Sequence, residues 1–397
     1  MEVYGERGMG KSTILACITS PPVEWQETFQ NHIFVRLNCQ DEMVPPTAKN
    51  FWLQATQKLD RQLEAGPIKS RCQTKLARAA EGLELTHNDF HEVFDVAAAS
   101  FKRIVLVLDD FNVMIRTEPE TLNNTRAFLQ GLRSLTTDNG LNLVVSTRYS
   151  LYESCKPLAL PNYSAFDNFF SPCRLRFFRE PELLRLLDDV VATGQPALNS
   201  AERHYVAYLS GFHPQLSQIA AAGIFDQRLE AGVPLSDLTP VGERFKSEAR
   251  PIFESLFWGA SEIERVILML VAMQMLKGKV TGANYDISDL PRFFNEQDRD
   301  MNDLTERGLL NRTQANPPTW KLFSPIFQWW ILKEIESEDP QKLEERRRVW
   351  GNLLTHKRAQ QAGKLLEFIK KNRKVIEVLS QSVLRIVGWE IPKLPGA

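Results

Sequence analysis

The eight residues Gly5-Glu6-Arg7-Gly8-Met9-Gly10-Lys11-Ser12 match the spacing G-x-x-x-x-G-K-[ST] and stand between a short apolar strand and a helix-forming stretch. No other feature of the chain constrains its fold so tightly. Glycines let the backbone bend so that successive N–H groups converge on an anion. The helix that follows, expected over Ser12 to Cys17, aims its N-terminal end at the same point. In such a loop Lys11 reaches the β and γ phosphates of a nucleoside triphosphate and the Ser12 hydroxyl ligates Mg²⁺. Gly5, Glu6, Arg7, Gly8, Met9, Gly10, Lys11, Ser12 and Thr13 are therefore the candidate nucleotide-binding residues.

Only Met1 to Tyr4 precede the loop, whereas a buried strand commonly runs about five or six residues. The short lead implies a late start codon or a chain trimmed at its N-terminus, without the residues that commonly help to enclose the base.

Apolar runs and helical spacing alternate after the loop. Ile33 to Leu37 reads as a second strand, and Thr47 to Leu63 carries Phe51, Trp52 and Leu59 at helical spacing. Arg103 to Asp110 is a continuous apolar run ending in two carboxylates, the signature of a strand buried on both faces of a parallel sheet. Phe128 to Leu135 lies in a helix, Leu141 to Arg148 is a fourth strand, and Arg174 to Phe177 is a short fifth. Such alternation predicts an α/β fold, a doubly wound parallel sheet with its site at the carboxyl ends of the strands.

Those strand ends supply the remaining chemistry. Asp109 is the expected second magnesium anchor beside Ser12, and Asp110 stands where it orients or deprotonates an attacking water. A glutamate at that position would reach further, so slow turnover is expected. Arg148, ending a strand beside the phosphate strand, is placed either to touch the γ phosphate or to remain a solvated strand-end arginine.

From about Pro181 helical patterns take over, which places one domain boundary near residue 180, and Pro240 to Pro251 suggests another. Gly211-Phe212-His213-Pro214 opens a helix with proline in its first turn, and His213 reads equally well as a satisfied surface histidine. Ile263 to Leu276 is interrupted by Glu264 and Arg265, so it reads as a buried helix and not a membrane span. A helix around Met301 to Glu306, then Gly308 to Asn311, a turn at Asn316-Pro317-Pro318 and Thr319 to Phe323 together suggest helices followed by a β-hairpin, which resembles a winged helix. The expected organisation is a P-loop NTPase core over 1–180, a helical lid over 181–245, a winged-helix-like domain over 246–336 and a basic helical tail over 337–397.

Composition narrows the class further. With 43% hydrophobic and 24% charged residues over 397 positions, the chain has enough apolar material for two or three cores and is not wholly disordered. Five scattered cysteines without C-x-x-C spacing signal neither a disulfide framework nor a zinc site, and no signal peptide precedes the loop, so a cytoplasmic protein is expected. From Pro340 to Ala397 there are thirteen Lys and Arg against five Asp and Glu, a balance of +8 in a chain whose net charge is −1. That tail reads either as a solvated helical surface or as a surface that holds phosphates.

The ordered set Gly5 to Ser12, Asp109-Asp110, Ser146-Thr147-Arg148, Gly211 to Pro214 and the winged-helix-like end resembles the STAND branch of the AAA+-related P-loop NTPases over about residues 1–335. Leu37 to Gln40, Phe166 to Phe170 and Leu322 to Phe327 are similar phrases. The resemblance implies ATP and Mg²⁺ bound between the core and the lid, Pro214 against the adenine, and Arg148 sensing the γ phosphate. It also implies slow hydrolysis and a nucleotide-dependent change that assembles copies of the chain or exposes it to a protein partner. The chain departs from that pattern in having two residues between Gly211 and Pro214 instead of one, no arginine finger, no Met-His-Asp motif and no sensing repeats. A second expectation, akin to replication-origin or transposition regulators, is a DNA-associated ATPase that uses the hairpin and the basic tail.

Overall fold

Alternate residues of one apolar strand feed two different cores. In a computed structural model, which describes residues 1–42, 46–138, 141–158, 166–191, 197–231, 237–274, 296–313 and 319–336, strand β3 covers Arg103–Asp109. Val105 and Val107 pack with Val3, Leu15 and Val144, whereas Leu106 and Leu108 join a larger cluster with Phe51, Phe90 and Leu132. This alternation is what a strand covered on both faces requires.

The chain divides into two compact units, Met1–Glu6 with Gly10–Leu175, and Arg7–Met9 with the chain from Arg176 onward. In the first unit β1 (Glu2–Tyr4), β2 (His32–Asn38), β3, β4 (Asn142–Thr147) and β5 (Pro172–Arg174) form a parallel sheet in the order β2-β3-β4-β1-β5. Val3 is in register with Ser146 on one side and Cys173 on the other, and Asn38 is in register with Asp109. Helices α1 (Lys11–Thr19), α2 (Val23–Phe29), α3 (Cys39–Glu42), α4 (Ala48–Gln62), α5 (Pro67–Ala80), α6 (His87–Ala99), α7 (Leu122–Asp138) and α8 (Leu151–Cys155) complete the unit.

The fifth strand lies upstream of the expected Arg174 to Phe177. β1 has three residues, and its ladder with β5 pairs them with Pro172, Cys173 and Arg174; one further bond, Leu175 N–H to Tyr4 O at 2.8 Å, ends the pairing. A strand cannot extend past the partner that supplies its hydrogen bonds.

The second unit contains α9 (Glu180–Val191), α10 (Ser200–Ser210), α11 (Pro214–Ala231), α12 (Thr239–Trp258), α13 (Glu262–Gln274), α14 (Asp298–Glu306), the antiparallel pair β6 (Leu310–Arg312) and β7 (Trp320–Leu322), and α15 (Pro325–Glu336). Helix α12 runs through the Pro240 to Pro251 stretch: Pro240 lies in its first turn, where a missing N–H breaks no helical bond, and Pro251 lies inside it. One apolar cluster takes Leu209, Leu216, Phe245, Phe253, Val271 and Phe327 from five helices. The turn at Asn316-Pro317-Pro318 and the basic tail lie outside the described residues. Among those described, no helix is long and apolar enough to cross a membrane.

Candidate functional site

The phosphate loop takes the backbone course its glycines permit. Gly8 and Gly10 have φ of 79° and 87°, a region that side chains rarely adopt. Gly10 is the N-cap of α1 and offers its first turn no side-chain cap, so the first-turn N–H groups are left for an anion. Lys11 Nζ donates to the carbonyls of Gly5 at 2.7 Å and Glu6 at 3.0 Å, which holds the ammonium across the loop. Burial pushes the Lys11 ammonium below its ordinary value, while the Asp110 and Glu6 carboxylates pull it back up.

Asp109 ends β3 with its carboxylate buried. Its Oδ1 accepts from Ser146 Oγ at 2.6 Å and its Oδ2 from Arg36 at 2.9 Å. Burial raises this carboxyl, but hydrogen bonds from Ser146, Arg36 and Ser12 outweigh burial and hold it below the usual range. The neighbouring Ser12 hydroxyl and ionised Asp109 carboxylate are the two protein oxygens a phosphate-bound Mg²⁺ requires, since that ion takes few protein ligands and several from phosphate and water. The residues thus fit the metal. Among the described residues no group of three His, Cys, Asp or Glu forms a separate metal site.

Asp110 follows in a left-handed conformation, φ 51° and ψ 40°, and its N–H donates to Ser146 Oγ at 2.9 Å. Ser146 therefore ties the two carboxylate-bearing residues together. Arg148 lies one residue beyond β4 and is not a solvated strand end: its guanidinium donates to Glu6 Oε2 at 3.0 Å, with Glu6 itself buried. The sensing candidate and the phosphate loop are thus in direct contact. Arg7, Ser12 and Thr13 are exposed, Met9 is buried, and Pro214 is buried as the first residue of α11.

His213 differs from the expected surface residue. It is 0% exposed, its Nδ1 accepts from Leu216 N–H at 3.3 Å, and its Nε2 lies 2.9 Å from the Arg7 carbonyl. Those partners put the ring hydrogen on Nε2, donating to Arg7. Gln215 N–H also donates to Gly8 O at 3.2 Å. Arg7–Met9 belong to the second unit.

Three supports of the site escaped the sequence reading: Arg36, Ser146 as a bridge, and His213. For the first two a signal existed, because an arginine near the end of an otherwise apolar strand and a serine near the end of another are both out of pattern there. For His213 there was none, since 206 residues separate it from Arg7.

Residues 1–145 match the family described as AAA ATPase domain. Among solved structures the fold is similar to the Walker-type ATPase PABY2304 of Pyrococcus abyssi, with a TM-score of 0.53 and 13% identity over 83% of this chain and 90% of that one. It is also similar to the ORC2 protein of Aeropyrum pernix in its ADPNP–ADP complexes, with a TM-score of 0.50 and 13% identity over 85% of this chain and 88% of that one. The curated proteins contain no match. The parallel sheet, its glycine-rich loop and the two solved structures agree on an α/β fold of the P-loop ATPase kind, and residues 1–145 are similar to the AAA ATPase domain family.

Proposed function

We propose that this protein is an ATP-binding regulatory switch of the STAND type, whose nucleotide state sets its assembly or its exposure to a protein partner and whose hydrolysis is slow. The observation that carries the reading is the 3.0 Å bond between Arg148 and Glu6 of the phosphate loop. A γ phosphate at the loop competes for that guanidinium, so the arginine has two alternative anionic partners, one present only with triphosphate. Lys11 and the first turn of α1 bind the phosphates, Ser12 and Asp109 hold Mg²⁺, and Pro214 covers the base. The metal, when bound, neutralises charge that develops on the phosphates. Asp110 orients water, and its short side chain keeps turnover low.

Size-exclusion chromatography with light scattering, run with Mg-ATP, with ADP and without nucleotide, tests this reading. Mass is expected to rise with Mg-ATP alone, and Lys11→Ala abolishes the rise while weakening ATP binding about 30-fold or more, the cost of removing one partner of a buried charge pair. Asp110→Asn retains binding and slows turnover. Equal masses in all states would overturn nucleotide-dependent assembly.

A second reading is favoured by the helices that precede the β6–β7 hairpin, an arrangement shared with winged-helix DNA readers, together with the +8 balance of the last 58 residues. On that reading DNA binding falls steeply as salt rises, and a duplex titration at two salt concentrations measures it.

A further inference from the structure

Arg36 projects from β2 onto two parts of the phosphate site. Its guanidinium donates to Asp109 Oδ2 at 2.9 Å and to the carbonyl of Ser12, in the first turn of α1, at 3.2 Å. Its own carbonyl accepts from Lys58 Nζ at 2.9 Å, which anchors the backbone at this point. The Asp109 side chain is 3% exposed and that of Arg36 is 35% exposed, so the cation reaches the buried carboxylate from the solvent side. A buried carboxylate needs a compensating charge. Here Arg36 provides it at Oδ2 of the carboxylate that would hold a divalent ion.

The charges around the loop make this consequential. Glu6, Asp109 and Asp110 all act on Lys11, and Arg148 is engaged by Glu6. Without Arg36 the carboxylates face an incoming phosphate with Lys11, already bonded to the Gly5 and Glu6 carbonyls, left to offset all three of them, and like charges repel across a partly buried site. We propose that Arg36 is a positioning residue which shares Asp109 with Mg²⁺: it holds the carboxylate and the first turn of α1 in place when the metal is absent, and so lets the loop take nucleotide phosphates without Mg²⁺. The inference rests on the nucleotide reading above and adds a residue and a metal-independent binding mode to it.

The test is calorimetric titration of ATP into the full chain in EDTA and in excess Mg²⁺. For Arg36→Ala the ratio of Kd in EDTA to Kd in Mg²⁺ is expected to rise about tenfold over wild type, a typical worth of one charge-assisted hydrogen bond. Arg36→Lys keeps most of the wild-type ratio, and Arg36→Gln, which keeps the stem without the charge, behaves like Arg36→Ala. That pair carries the same contrast should Arg36→Ala fail to fold. Asp109→Asn combined with Arg36→Ala brings the ratio back down, because the carboxylate to be compensated is gone. An unchanged ratio in both Arg36→Ala and Arg36→Gln, or an equal loss with and without metal, overturns the proposal. Absence of ATP binding by the wild-type chain would overturn the nucleotide reading as well, whereas binding that is lost in Lys11→Ala but shows no Arg36 effect overturns this inference alone.

Discussion

Two glycines of the phosphate loop share a backbone region and differ in what surrounds them. A Cβ on Gly10 would meet nothing within 4 Å, whereas one on Gly8 would lie 2.5 Å from Gln215 Oε1 and 2.8 Å from His213 Cε1. Gly10→Ala is therefore expected to cost only the strain of positive φ, about 1 kcal/mol, and Gly8→Ala about 3 kcal/mol once displaced neighbours are added. Denaturant unfolding of the two variants measures the difference, and equal losses would show that His213 and Gln215 do not hold the loop. The placement of Lys11 at the start of α1 and of Asp109 at the end of β3 was legible from spacing alone, because a glycine-rich loop before a helix and an apolar run ending in carboxylates are local patterns. His213 was not, since a lone histidine before a proline carries no signal of a carbonyl far away in the chain.

Among the elements, the α5–α6 pair shows how a local sequence rule acquires a tertiary load. Asp89 at the third position of α6 completes a capping box with Thr86 and also accepts from Lys75 at 3.0 Å and Arg78 at 2.9 Å. Burial raises the Asp89 carboxyl, but bonds from Lys75 and Thr86 outweigh it, so it lies below its ordinary value of 3.8. A carboxylate depressed in the folded state adds stability that is present above the unfolded value and is lost as pH falls through the folded one. Asp89→Asn is thus expected to cost about 1 kcal/mol at neutral pH, with nearly buried Lys75 losing one of its two carboxylate partners and keeping Glu92 at 2.7 Å. The gap to wild type narrows as pH drops below 3.8; a gap constant from neutral pH down to pH 3 in denaturant titrations would refute the charge pairing. Strands with strong apolar runs were legible in sequence to within a residue, as at Arg103–Asp109. The weak β5 was misplaced because its extent is set by its three-residue partner and not by its own composition.

For the molecule as a whole, separate cores predict separate unfolding. The clusters around β3 belong to the first unit, and the cluster through α12 and α13 belongs to the second. The chain supplies its own probes: all five cysteines lie at or before residue 173, and six of eight tryptophans lie at or after residue 258. Burial pushes the Cys72 and Cys155 thiols up to about 12, so they react only once the first unit opens. Thiol labelling and tryptophan fluorescence, followed in rising denaturant, are expected to give different midpoints; coincident curves would mean a single cooperative unit. What the sequence determined by itself was whatever depends on near neighbours: the phosphate loop, the buried parallel strands, the helix starting at Pro214 and the carboxylates ending β3. Local spacing sets those because backbone conformation and apolar periodicity are properties of a few consecutive residues. The tertiary structure alone decided that Arg36 meets Asp109, that Glu6 meets Arg148 and that His213 meets Arg7. Those pairings are 73, 142 and 206 residues apart, and a single side chain carries no mark of which distant group the folded chain brings within 3 Å of it.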